Sequence, residues 1–124
     1  ACTITNNVIS NNRAYTQGGG IHMSVNTQTN NKISCNIKET IISDNTCDYV
    51  GGGMYIKQGY ITLSNNSKIF GNNANAYGSD LFCYQTNFTI NDDSIIENNT
   101  NNDIFCNNYC YFDYTSNHQR IYCR

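Results

Sequence analysis

Ile41-Ile42-Ser43-Asp44-Asn45, followed six residues later by Gly51-Gly52-Gly53-Met54, is the stretch whose reading decides the fold, because it returns along the chain. The first phrase recurs as Val8-Ile9-Ser10-Asn11-Asn12, Ile69-Phe70-Gly71-Asn72-Asn73 and Ile95-Ile96-Glu97-Asn98-Asn99. The second recurs as Gly18-Gly19-Gly20-Ile21, Gly78-Ser79-Asp80-Leu81 and, contracted, Asn102-Asp103-Ile104. Phrase starts lie 33, 28 and 26 residues apart, a period that marks a stacked repeat. Each repeat reads as one coil of a solenoid.

Within a coil, Ile33-Ser34-Cys35, Ile61-Thr62-Leu63 and Phe88-Thr89-Ile90 alternate with the period of a half-buried strand. No stretch sustains a helical apolar stripe, and Asn, Thr, Ile, Tyr and Gly are poor helix formers. The expectation is an all-β parallel β-helix of about four coils with three short strands each. The coils fall near 1–32, 33–60, 61–87 and 88–106, and residues 107–124 form a C-terminal cap within the same single domain. The glycines before the third strand mark a recurrent sharp corner. They do not read as a phosphate cradle, since no Lys-Ser/Thr follows and no helix opens after them.

Aligned positions define columns. Asn12, Asn45, Asn73 and Asn99 read as an internal Asn ladder, since an amide both donates and accepts. The third strands align His22, Tyr55, Phe82 and Phe105, with the opposite parity to the core-facing residues. Tyr55, Phe82 and Phe105 therefore read as an outward interaction strip for a protein or a sugar ring. The alternative is that a loop, such as 26–32 or the tail, covers them.

Seven cysteines in 124 residues, with no CxxC pair in zinc register and with His22 and His118 far from any such pair, point to disulfides in an oxidising compartment. Cys2 with Cys35, and Cys83 with Cys106, are stacked neighbours by phase and disulfide candidates; buried thiol columns are the alternative for both. Cys110 and Cys123 then close the tail, leaving Cys47, in a turn, unpaired or intermolecular. Asn65, Asn87 and Asn98 head N-glycosylation acceptor patterns, Asn65 being the best placed.

A net charge of -2 with scattered Lys and Arg offers no footprint for nucleic acid, and no apolar run is long enough to cross a membrane as a helix. No catalytic or metal-binding set and no cofactor are expected. Asp92 and Asp93 are adjacent and point to opposite sides of an extended chain, and Asp80 with Asp103 gives only one stacked pair. No signal peptide or initiating Met is visible, so the chain reads as processed or cut from something longer. The first coil begins at Cys2-Thr3-Ile4 without cover, and its open strand edges call for a partner.

Phe70-Gly71-Asn72-Asn73, with Ile9, Ile42 and Ile96 in place of Phe elsewhere, and Gly19-Gly20-Ile21 or Gly52-Gly53-Met54 resemble the FxxN and GGAI motifs of the polymorphic outer membrane protein repeat. The resemblance covers residues 1–106 and departs at Gly78-Ser79-Asp80-Leu81 and in the fourth coil. It implies a right-handed parallel β-helix in a secreted or surface protein, often an adhesin. The expected function is a non-catalytic extracellular structural or adhesive module, stacked end to end on copies of itself or on neighbouring domains. The alternatives are a carbohydrate-binding domain or a pectin-lyase-like carbohydrate-active one.

Overall fold

The computed structural model describes residues 2–25, 32–91, 93–97, 100 and 102–114. All regular structure is β: β1 (Cys2–Thr5), β2 (Val8–Ser10), β3 (Arg13–Ala14), β4 (Ile21–Ser24), β5 (Ile33–Lys38), β6 (Ile41–Ser43), β7 (Thr46–Cys47), β8 (Met54–Lys57), β9 (Gly59–Ser64), β10 (Lys68–Phe70), β11 (Asn73–Ala74), β12 (Leu81–Tyr84), β13 (Asn87–Ile90), β14 (Ile95–Ile96), β15 (Ile104–Asn107) and β16 (Tyr111–Tyr114). Every pairing is parallel, and each strand pairs with its equivalent one coil away. The sheets run β1-β5-β9-β13-β16, β2-β6-β10-β14, β3-β7-β11 and β4-β8-β12-β15. This is the expected parallel β-helix. Each of the first three coils holds the three expected strands plus a two-residue strand at the corner between the second and third.

The core is a column of aliphatic side chains, drawn from the three main strands of each coil. Ile37, Leu63 and Ile90 line the first sheet, Ile42, Ile69 and Ile96 the second, and Met54, Ile56, Leu81 and Ile104 the third, all essentially buried. The period-2 alternation of the strands is what delivers them: in β5 the buried Cys35 and Ile37 alternate with exposed Ser34, Asn36 and Lys38. Gly18, Gly51 and Gly78 share φ values of +70°, +73° and +68° and turn the chain into the third sheet. A side chain on Gly51 would press on the carbonyl of Met54, so the corner needs glycine for space as well as conformation.

The third coil corrects the expected phase by one residue. Ile69, not Phe70, pairs with Ile42 and points inward, while Phe70 pairs with Ser43 and is exposed. The second-strand phrases therefore start at Val8, Ile41, Lys68 and Ile95, and the last three coils are spaced evenly. Gly71 then falls with Asn11 and Asp44 in a column of left-handed turns, with φ of +67°, +60° and +57°. Those residue types share tolerance of positive φ, which is the physical reason for the register.

The segment after coil four covers it as a further strand. Tyr111–Tyr114 continues the first sheet beyond β13, and Phe112 stacks on Phe88 with ring centroids 5.2 Å apart. Residues 115–124 lie outside the described part.

Candidate functional site

The third sheet carries the aromatic column in the expected register, His22-Tyr55-Phe82-Phe105. Tyr55 and Phe82 stack at 5.3 Å and Phe82 and Phe105 at 5.2 Å, both with nearly parallel ring planes. The side chains leave the main core as parity requires, yet Tyr55 and Phe82 are only 8% and 9% exposed. The expected open strip is thus corrected. Val50 and Ala76, from the corner segments before β8 and β12, close over the rings in a second apolar cluster. Of the covers expected from the sequence, residues 26–31 of the loop and 115–124 of the tail lie outside the described residues.

The cover is itself a stack: Gln17, Val50 and Tyr77 pair coil to coil as single bridges. Between it and the third sheet lies a groove of about 420 Å³, bordered by Tyr49, Tyr77 and Phe105 and by the polar Gln17, Lys57 and Asn107. Tyr77 meets Phe105 at 4.8 Å and remains half exposed. Lys57 stands 5.5 Å from the Tyr84 ring, and Asn108 donates to the Tyr84 hydroxyl (3.1 Å). Sequence phase finds the column but misses Tyr49 and Tyr77, which sit in the corner segments outside the alternating strands.

The Asn ladder exists, one residue away from its expected place in the third coil. Asn12 donates from its backbone N–H and Nδ2 to Oδ1 of Asn45, both at 3.0 Å. Asn45 does the same to Oδ1 of Asn72, at 2.9 and 3.0 Å. Asn73, expected in this column, pairs with Thr46 and is exposed; Asn99 lies outside the described residues. At the next step the acceptor is Asp80, whose Oδ1 takes both the N–H (3.0 Å) and Nδ2 (2.9 Å) of Asn72. A second ladder, legible once the phase is right, precedes the second strands: Thr40 and Ser67 donate their N–H groups to the hydroxyls of Ser67 and Ser94.

Asp80 stands where the first two coils have Gly20 and Gly53. A Cβ on Gly53 would lie 2.7 Å from Nδ2 of Asn72, so these glycines make room for the ladder amide, whereas Asp80 replaces that amide with its own carboxyl. The fourth coil then takes a shorter path. Ile9 to Ile21, Ile42 to Met54 and Ile69 to Leu81 are each 12 residues apart, but Ile96 to Ile104 is only 8 apart. The shortcut brings Glu97 and Asp103 to Asp80, with one carboxylate oxygen of each within 4.8 Å of the others. Burial pushes the Asp80 carboxyl up to about 8, reinforced by Glu97 and opposed by the Asn72 donors.

Cys2 and Cys35 form the expected disulfide between the first two coils, Cα atoms 4.3 Å apart. The other expected pairings are corrected. Cys83 and Cys106 are register partners, but Cys83 is a buried free thiol and Cys106 is bonded elsewhere. Cys110 is also a free thiol rather than the partner of Cys123, which lies outside the described residues. The reason is local: the return toward β16 sets Cys110 against Cys83, so three sulfurs meet within 4.8 Å where phase supplies two. The hydrogen bond from Cys83 holds the Cys110 thiol down at about 7, while burial pushes Cys83 up. Cys47 is unpaired, as expected, but buried in β7 beneath the corner rather than reachable from a turn.

Of the acceptor asparagines, Asn65 is exposed on a left-handed turn (φ +54°). Asn87 is half-buried and its Oδ1 accepts from Lys32 (3.2 Å); Asn98 lies outside the described residues. Among the described residues no helix is long and apolar enough to cross a membrane. Compared with known proteins, the chain matches no family model, and no curated protein or solved structure matches it significantly.

Proposed function

We propose that the chain is a non-catalytic structural or adhesive β-helix module of an extracellular surface, joined end to end to further coils. The observation that carries this reading is the state of the first coil. Cys2, Ile4, Ile9 and Met23 point inward but are only partly buried, while Cys35, Ile37, Ile42 and Ile56 beneath them are fully covered. Strands β1 to β4 each have a parallel neighbour on one side. A further coil in the same register, from more of the same chain or from a second copy, would bury those side chains and pair those edges. The disulfide, the exposed acceptor Asn65 and the likeness to polymorphic outer membrane protein repeats support the surface setting. Cys47 does not serve as the link, being buried.

Electron microscopy and sizing of the purified chain test the assembly. Oligomers that persist under reducing conditions are expected; a strictly monomeric species at all concentrations would sink end-to-end assembly.

A sugar-binding groove is the second reading, favoured by Tyr77 and Phe105 beside Gln17, Lys57 and Asn107. Aromatic faces suit the C–H side of a sugar ring, and amides suit its hydroxyls. No Asp or Glu is among the described lining residues, so this reading is of binding without turnover. Glycan-array binding lost in Tyr77→Ala supports it; unchanged binding removes the groove from consideration.

A further inference from the structure

We infer that Asp80, Glu97 and Asp103 form a binding site for a hard divalent cation, Ca²⁺ in preference to Mg²⁺, where the shortened fourth coil meets the third. Asp80 is fully buried, and its Oδ1 is committed to Asn72. Its Oδ2 has no donor among the described residues and meets only the Glu97 carboxylate, a costly state for a buried carboxylate. The cluster holds three carboxylates, and an ionised carboxylate only accepts, so none of the three satisfies another unless a proton or a cation sits between them.

The spacing suits a cation. Three oxygens mutually within 4.8 Å have a common centre no more than about 2.8 Å from each, within reach of a bound cation, and Ca²⁺ is favoured because it tolerates an irregular oxygen shell where Mg²⁺ demands a near-ideal octahedron. Hydrogen bonds from backbone N–H groups help fix the two outer carboxylates in place. Oε1 of Glu97 accepts from the N–H of Gly71 (3.0 Å), and Oδ2 of Asp103 from that of Thr100 (2.8 Å). Glu97 is half-buried, leaving a side on which water completes the coordination shell. The column sequence Gly20, Gly53, Asp80, Asp103 gives the site its origin: carboxylates replace the glycines in the third coil and in the shortened fourth.

The test is calorimetric titration and thermal unfolding of the chain in CaCl₂, MgCl₂ or EDTA, alongside Asp80→Asn and Glu97→Gln. The amide introduced by Asp80→Asn keeps an oxygen for Asn72, and position 97 is half exposed, so both variants retain the ladder; circular dichroism checks that they fold. The expected result is one Ca²⁺ bound with Kd of about 10⁻⁴–10⁻³ M, as in extracellular modules, a Tm higher by several degrees, and weaker Mg²⁺ binding. Each variant weakens Ca²⁺ binding at least tenfold. Absence of heat and of any Tm shift at about 10 mM CaCl₂ overturns the site and leaves a shared proton as the occupant. Equal responses in wild type and both variants overturn it too, as diffuse screening.

Discussion

Asn45 occupies a position that no other residue type fills as well. Its Oδ1 takes two donors from Asn12, and its Nδ2 serves both Asn72 and the carbonyl of Ile9 (2.9 Å), with the side chain fully buried. Asn45→Ala strands these groups and is expected to cost about 1–3 kcal/mol in urea unfolding, whereas Asn73→Ala, one column over and exposed, is expected to stay within about 0.5 kcal/mol. That contrast also shows where the sequence was legible. Two consecutive asparagines offered two alignments, and the apolar pair Ile69-Phe70 favoured the wrong one, because hydrophobicity alone ranks Phe as a core residue. The deciding signal was Gly71, a left-handed turn residue in line with Asn11 and Asp44. At the same scale, Cys110 is the reactive thiol. With its folded value lowered to about 7, iodoacetamide labelling is expected to rise through neutral pH at Cys110 first, while buried Cys47 and Cys83 label only on unfolding. Equal labelling of the three in the native chain would contradict this, and mass spectrometry reads it directly.

At the level of elements, β8 and β12 serve two cores at once, which few short strands do. Met54, Ile56, Leu81 and Cys83 face the axis, while Tyr55 and Phe82 fill the outer cluster beneath the corner. Alternation in the sequence specified the two faces correctly. It did not reveal that the second face is covered, because the covering residues Val50 and Ala76 lie in segments with no period of their own. The cover predicts that Phe82→Ala costs about 3–5 kcal/mol, since a buried aromatic leaves a cavity, whereas half-exposed Tyr77→Ala costs well under half as much. Thermal denaturation of the pair checks this, and similar losses would mean the outer cluster is not a core. The cysteine pairing failed for a related reason. Register places Cys83 opposite Cys106, but Cys110 arrives through a turn after the repeat has ended, where phase has nothing to say.

For the whole molecule, the parallel coils touch only their neighbours, so stability is a sum of local terms. The Cys2–Cys35 bond closes a loop of 33 residues and is worth about 3–4 kcal/mol on chain-entropy grounds. A Cys2→Ser, Cys35→Ser chain is therefore expected to gain hydrogen exchange in β1 to β4 while β12 and β15 keep their protection. Uniform loss across all coils would show instead that the solenoid unfolds as one block. The same stacking sets a mechanical direction. Because the sheet hydrogen bonds run from coil to coil, force along the axis loads them head-on and peels coils one by one. Force across the axis shears each sheet against many bonds together. The Cys2–Cys35 bridge lies along the weak direction, so at the first junction a pulled chain meets a covalent bond before it meets the ladder.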